Sequence, residues 1–237
     1  LTSFEQLFTI LSEQTGSGLT HRQMLPLAAA LLTVGLGRWV PRTLDVYGAR
    51  WFDRPLTGRR LTAATWLSFV LAAPALLYFG LQLPPFALPG LAAVLVALVG
   101  VVRLDLAYRV IPDRFHLAGG LGALALFYVR HPTFDATAVV DLCLGLGAVT
   151  ALTAFTLLWA KLRKRDALGM GDLKLLAWLA VAFGLDGVVL TLVVGLALAA
   201  VAILPLLALK VRRLDQAFAF GPYLAAGAVV ALLQLVP

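Results

Sequence analysis

The sequence predicts an all-α fold, a polytopic membrane helical bundle of about eight transmembrane helices with its N-terminus outside, and three observations carry that expectation. Of the 237 residues, 61% are hydrophobic and 13% charged, and the mean hydropathy is +0.94. Soluble domains hold roughly 45 to 50% apolar residues, so a soluble domain is excluded. Apolar runs also recur at the length of about 20 residues that a helix needs to cross a bilayer. Finally, the basic residues are sorted by side. With the first span running inward, segments 38–60, 103–114, 161–174 and 210–213 share the cytoplasmic face and hold seventeen of the nineteen Lys and Arg residues, leaving Arg22 and Arg130 outside. Basic residues mark the cytoplasmic side of membrane proteins. The formal charge of +7 is therefore read as topology, and no nucleic-acid partner is expected.

The spans in order are 24–40, 62–82, 86–103, 115–130, 138–160, 172–184, 186–209 and 221–236. Eight crossings use about 160 positions, which leaves loops too short for a second globular domain. The expected organisation is an N-terminal segment, 1–23, followed by a single membrane domain, 24–237. In the first segment Phe4, Leu7, Phe8 and Leu11 recur at helical spacing while Glu5, Gln6 and Glu13 lie off that face. This pattern predicts a short amphipathic helix at the outer interface, or equally a partner-binding segment or a fragment of something longer. No secretory signal with a cleavage site is legible, so the first span is expected to stay in the protein.

Trp39, Trp51 and Phe52 in the basic 38–60 segment suit the membrane interface. Gly119, Gly120, Gly122, Gly145 and Gly147 are expected to let helices approach closely. The lone Cys143 between Leu142 and Leu144 excludes an intramolecular disulfide and a four-cysteine zinc site, and reads as a small apolar residue within a span. No cofactor and no metal are expected. The sixth span is short for a full crossing and is expected to begin below the hydrocarbon surface or in a thinned region.

Carboxylates near hydrocarbon are expensive, and each requires an account. Asp141 and Asp186 fall near outer span ends, where water or capping explains them. Asp113 follows Ile111-Pro112 and reads as a cap on the fourth span. Asp105 closes the third span and Asp172 opens the sixth, so alternation puts both at the cytoplasmic boundary despite their distance in sequence. Two carboxylates brought together in a medium of reduced dielectric do not both ionise easily. One then holds a proton while the other acts as base, which is the arrangement needed to activate water for attack on an amide. Gly169 and Gly171, just before Asp172, permit backbone angles and close approach that a side chain would block, so an extended peptide could lie beside the site. Taken alone, Gly-x-Gly-Asp is also what a plain loop-to-helix turn with an acid in its first turn looks like.

The chain resembles the prepilin peptidases, or type IV leader peptidases, which are membrane aspartic proteases of the Gly-x-Gly-Asp type. Three pieces match in order: Asp105-Leu106-Ala107-Tyr108-Arg109-Val110-Ile111-Pro112-Asp113, then Gly169-Met170-Gly171-Asp172-Leu173-Lys174-Leu175-Leu176, then Phe220-Gly221-Pro222-Tyr223-Leu224. The resemblance covers roughly residues 86–236. It implies cleavage of the basic leader from type IV prepilin or pseudopilin precursors, at the cytoplasmic face of a prokaryotic plasma membrane, in the service of type IV pilus or protein-secretion assembly. It implies Asp105 and Asp172 as the catalytic pair, with Gly169, Gly171, Lys174 and Asp113 shaping the site. Pro222 and Tyr223 read as structure around a helix start.

The departures from that family matter too. Many relatives carry a large insert with paired Cys-x-x-Cys motifs between the first two spans and also N-methylate the new pilin terminus. Only about 20 residues stand there in this chain, without cysteines, so peptidase activity is expected without a zinc module and methyltransferase activity is not. Two other classes stay open from sequence: a proton- or cation-coupled transporter using the same carboxylates, and an inactive scaffold for pilus or secretion assembly. Both carboxylates lie at one membrane edge rather than at the midplane, which weighs against transport.

Overall fold

The computed structural model of the protein describes residues 78–79, 81–164, 168–211 and 218–235. Among them the secondary structure is helical throughout. A short 3-10 turn, Pro85–Ala87, leads into α1 (Leu88–Tyr108), followed by α2 (Asp113–Arg130), α3 (Ala136–Arg163), α4 (Met170–Ala208) and α5 (Gly221–Ala231), which runs on into a 3-10 turn, Leu232–Leu235. Three of these, α1, α3 and α4, are long and apolar enough to cross a membrane. The chain is thus an integral, polytopic membrane-helical protein. Segment 1–23, the spans at 24–40 and most of 62–82, and the basic 38–60 stretch lie outside the described residues.

The sixth and seventh expected spans are one continuous element with a break inside it. Gly184 has φ 68 and ψ −161, which divides α4 into α4a (170–183) and α4b (185–208). The break is a reversal, and α5 reveals it. Gly221 at the start of α5 meets Asp105 at the end of α1, Gly195 of α4b faces the Tyr223 carbonyl, and Gly187, close behind the break, faces Gln234. α4b therefore returns along α5 toward the end of the bundle from which α4a started. At 1.5 Å per residue α4a is about 21 Å long, shorter than the roughly 30 Å hydrocarbon thickness, as its sequence led one to expect.

Between helices in lipid there is little hydrophobic drive, so association depends on close packing at small residues. A Cβ on Gly122 would stand 2.6 Å from the Gly90 carbonyl, and one on Gly145 3.0 Å from the Gly184 carbonyl carbon, so α1 touches α2 and α3 touches the α4 break almost backbone to backbone. Gly147, expected to do the same, faces open space. α1 is central and mostly buried, whereas α3 is mostly exposed and turns a broad apolar face outward. Cys143 is exposed on the same helix. Leu91, Leu104, Leu126, Leu175, Leu179, Phe183 and Leu224 close the interior between α1, α2, α4 and α5.

Antiparallel packing gathers the basic residues. Among the described residues Arg103, Arg109, Arg114, Lys161, Arg163, Lys164, Lys174 and Lys210 lie at or near one end of the bundle, and Arg130 is at the other. Arg109, Lys164 and Lys210 each adopt a left-handed conformation at or just after a helix end. Their cationic side chains suit the negative end of the helix dipole.

Candidate functional site

Asp105 lies on the last turn of α1 and is 7% exposed. Its Oδ2 accepts the backbone N–H of Gly221 at 2.8 Å, across 116 residues of sequence. That N–H belongs to the first turn of α5, where a helix leaves its donors without internal partners and its dipole favours an anion. Pro222 beside it has no N–H to offer and suits a first turn. Gly221 is required at this point for space, since a Cβ would stand 2.9 Å from Oδ2 of Asp105. Reading Pro222 and Tyr223 as structure around a helix start agrees with the observed start of α5 but left this contact out. The available signal was a glycine in front of proline at a span that begins on the same side as a buried acid.

Asp172 is the third residue of α4a and is 8% exposed. Its Oδ1 is buried and has no hydrogen-bond partner, whereas its backbone N–H donates to the Gly169 carbonyl at 3.1 Å. Gly169 serves as the N-cap with φ −67 and ψ 145, an ordinary extended conformation, and no side chain caps the helix. Neither Gly169 nor Gly171 has a positive φ. Backbone freedom is therefore not what the two glycines supply. A Cβ on Gly169 would stand 3.2 Å from Oδ2 of Asp172, and one on Gly171 would stand 3.1 Å from Ile111. The first keeps the flank of the carboxylate clear, and the second lets α4a begin against the α1–α2 connection.

The two acids share one end of the bundle, and Asp105 lies within electrostatic reach of Asp172. Arg109, one turn beyond Asp105, is also within reach of it. Lys174 pairs with Asp113, joining α4a to the start of α2 through exposed side chains. The sequence suggested Asp113 as a cap. Instead Pro112 occupies the cap position, no side chain caps the helix there, and Asp113 sits in the first turn. Lys174 beside it holds its carboxyl below the usual carboxylate range, first by the hydrogen bond and then by its charge. Among the described residues no group of three or more His, Cys, Asp or Glu side chains could hold a metal ion.

A pair of buried carboxylates within reach of each other, one braced by a helix N-terminus and the other with a free oxygen, can polarise a water molecule and pass its proton. The type IV leader peptidase family matches residues 91–205, a stretch holding Asp105, Asp113, the Gly169–Asp172 turn and Lys174 and ending before Gly221. No curated protein and no solved structure matches the chain.

Proposed function

Because the chain belongs to the type IV leader peptidase family, we propose that it is a membrane aspartic endopeptidase that removes the basic leader from prepilin or pseudopilin-like precursors. Asp105 and Asp172 are the catalytic pair in this reading. The reaction takes place at the cytoplasmic face of a prokaryotic plasma membrane, and residues 24–237 act as one peptidase domain. The observation that carries it is the burial of two carboxylates from α1 and α4 at one bundle end, within electrostatic reach of each other. Burial of acids in a membrane protein is costly and marks function by default.

The chemistry follows from sharing one proton. The ionised carboxylate takes a proton from water as its oxygen attacks the scissile carbonyl carbon, and the protonated carboxyl donates to the carbonyl oxygen. The tetrahedral intermediate collapses as the C–N bond breaks, the proton passing to the departing amine. Gly221 N–H fixes the orientation of the Asp105 carboxylate during this exchange, and Gly169 leaves the flank of Asp172 open to an extended peptide. A precursor whose apolar helix lies beside the bundle brings its leader to this end. Basic residues clustered here would repel a basic leader, so they are assigned to orientation and to anionic lipid, at about 1 kcal/mol per residue.

The test is cleavage of prepilin-like precursors by purified protein in lipid nanodiscs, with Asp105→Asn and Asp172→Asn in parallel. Wild type is expected to cleave and each variant to lose about 10²- to 10⁴-fold. Folded wild-type protein that leaves a range of precursors intact, or a variant that cleaves at the normal rate, overturns the reading. Proton flux into liposomes that is lost on the same substitutions would point to transport instead.

A further inference from the structure

The end of the bundle remote from Asp105 and Asp172 carries a second charged cluster, seated on the break of the helix that carries Asp172. The backbone angles of Gly184 are open in practice to glycine alone, and a Cβ there would run into the Asp141 carboxylate. Asp141 belongs to α3, and its Oδ2 takes the Arg130 guanidinium at 2.8 Å. His131 adds a second donor, Nε2, at 3.2 Å from the same oxygen. The guanidinium also donates to the Ala182 carbonyl at 3.4 Å.

That carbonyl has a particular place in the helix. It is in the last turn of α4a, where an α-helix leaves its carbonyls without internal partners and presents the negative end of its dipole. Arg130 therefore caps α4a from the end of α2, and Asp141 steadies the guanidinium from α3. A carboxylate set alone against a helix C-terminus would be repelled, so Arg130 is also what allows Asp141 to lie on the turn. From Ala182 back to Asp172 the helix rises about 15 Å. Its Trp178 ring lies against Gly119 of α2, and its Ala180 carbonyl against Gly145 of α3. An α-helix this short is stiff along its axis, so a displacement of its Ala182 end is carried to Asp172.

We propose that Arg130 and Asp141 are positioning residues that fix the axial place of α4a and so keep Asp172 in register with Asp105. The consequence for catalysis rests on the peptidase reading above, whereas the consequence for helix position does not. The experiment has two arms for that reason. Spin labels on Leu106→Cys of α1 and Met170→Cys of α4a, both exposed, in a Cys143→Ala background, report the separation of the two helix ends in nanodiscs. Cleavage kinetics report the chemistry.

Arg130→Gln and Asp141→Asn are expected to shift or broaden the label distance and to lower kcat about 10- to 100-fold, with KM little changed. Arg130→Lys, which keeps a cation and a donor, is expected to restore most of both. Thermal melting identifies any variant that fails to fold, in which case the other substitution and Arg130→Lys carry the comparison. A wild-type label distance in either folded variant overturns the proposal whatever the rate does, and so does a displaced helix that cleaves at the wild-type rate. Should wild type cleave nothing, the peptidase reading fails and the label distances still decide the role of the cluster.

Discussion

Asp105 and Asp172 lie at one end of the bundle and Asp141 at the other, and the two ends differ in burial and in neighbours. Asp141 has a side chain 24% exposed, in contact with Arg130 and His131. Its charge is balanced and its position explained by the turn it braces. Asp105 and Asp172 are each less than a tenth exposed. One takes a backbone N–H, the other keeps an oxygen without a partner, and they lie within reach of each other's charge. Buried polar atoms are nearly always satisfied, and an exception needs a reason. The contrast separates a carboxylate whose charge is matched, which suits the proposed brace, from buried ones left with spare capacity, which suit the proposed proton transfer.

The most forceful way to break this contrast is to neutralise each carboxylate in turn. Asp105→Asn and Asp172→Asn should cost about 10²- to 10⁴-fold in initial cleavage rate, well beyond the loss for Asp141→Asn. Equal losses at all three positions would erase the distinction between the ends. The next largest effect is on stability at the brace. Gly184→Ala forces a side chain into backbone angles that cost about 1–3 kcal/mol and onto the Asp141 carboxylate. Gly147→Ala, in open space on α3, gains up to about 1 kcal/mol of helix propensity. Unfolding in mixed micelles should separate the two with opposite signs.

A pH profile sharpens the comparison further. If one proton is shared by the pair, cleavage should rise and fall in a bell as pH is scanned. A flat profile with chemistry limiting would contradict the shared proton. The smallest effect belongs to Asp113. Its carboxyl is depressed by Lys174, so its contribution is fully present above the unfolded value of about 3.9. It is lost only as pH falls through the still lower folded value. Asp113→Asn should therefore leave the profile unchanged between about pH 5 and 8, measured as relative rate against pH. An acid limb that moved with this substitution would assign that limb to Asp113 rather than to the pair.

Much of this was legible along the chain, for identifiable reasons. Lipid selects for apolar runs of a fixed length and the membrane sorts basic residues by side, so helices and their alternation could be read locally. The break between the sixth and seventh spans fell where Gly184 turns the chain. Alternation of the spans also puts Asp105 and Asp172 on a common side of the membrane. Asp113 was misread as a cap because the partner that draws it away, Lys174, stands 61 residues on.

What the sequence by itself determined is the class of protein and, among the described residues, the order of the helices and which of their ends lie together, because these follow from the hydropathy and charge of consecutive residues. Only the tertiary structure decided that Gly221 meets Asp105, that Lys174 takes Asp113, and that Arg130 joins Asp141 to the end of α4a. In a soluble helix the polar side reveals which face turns inward. In lipid the outer and inner faces are both apolar, so the rotation of each helix is set by close packing and by the few polar groups that must find partners across helices.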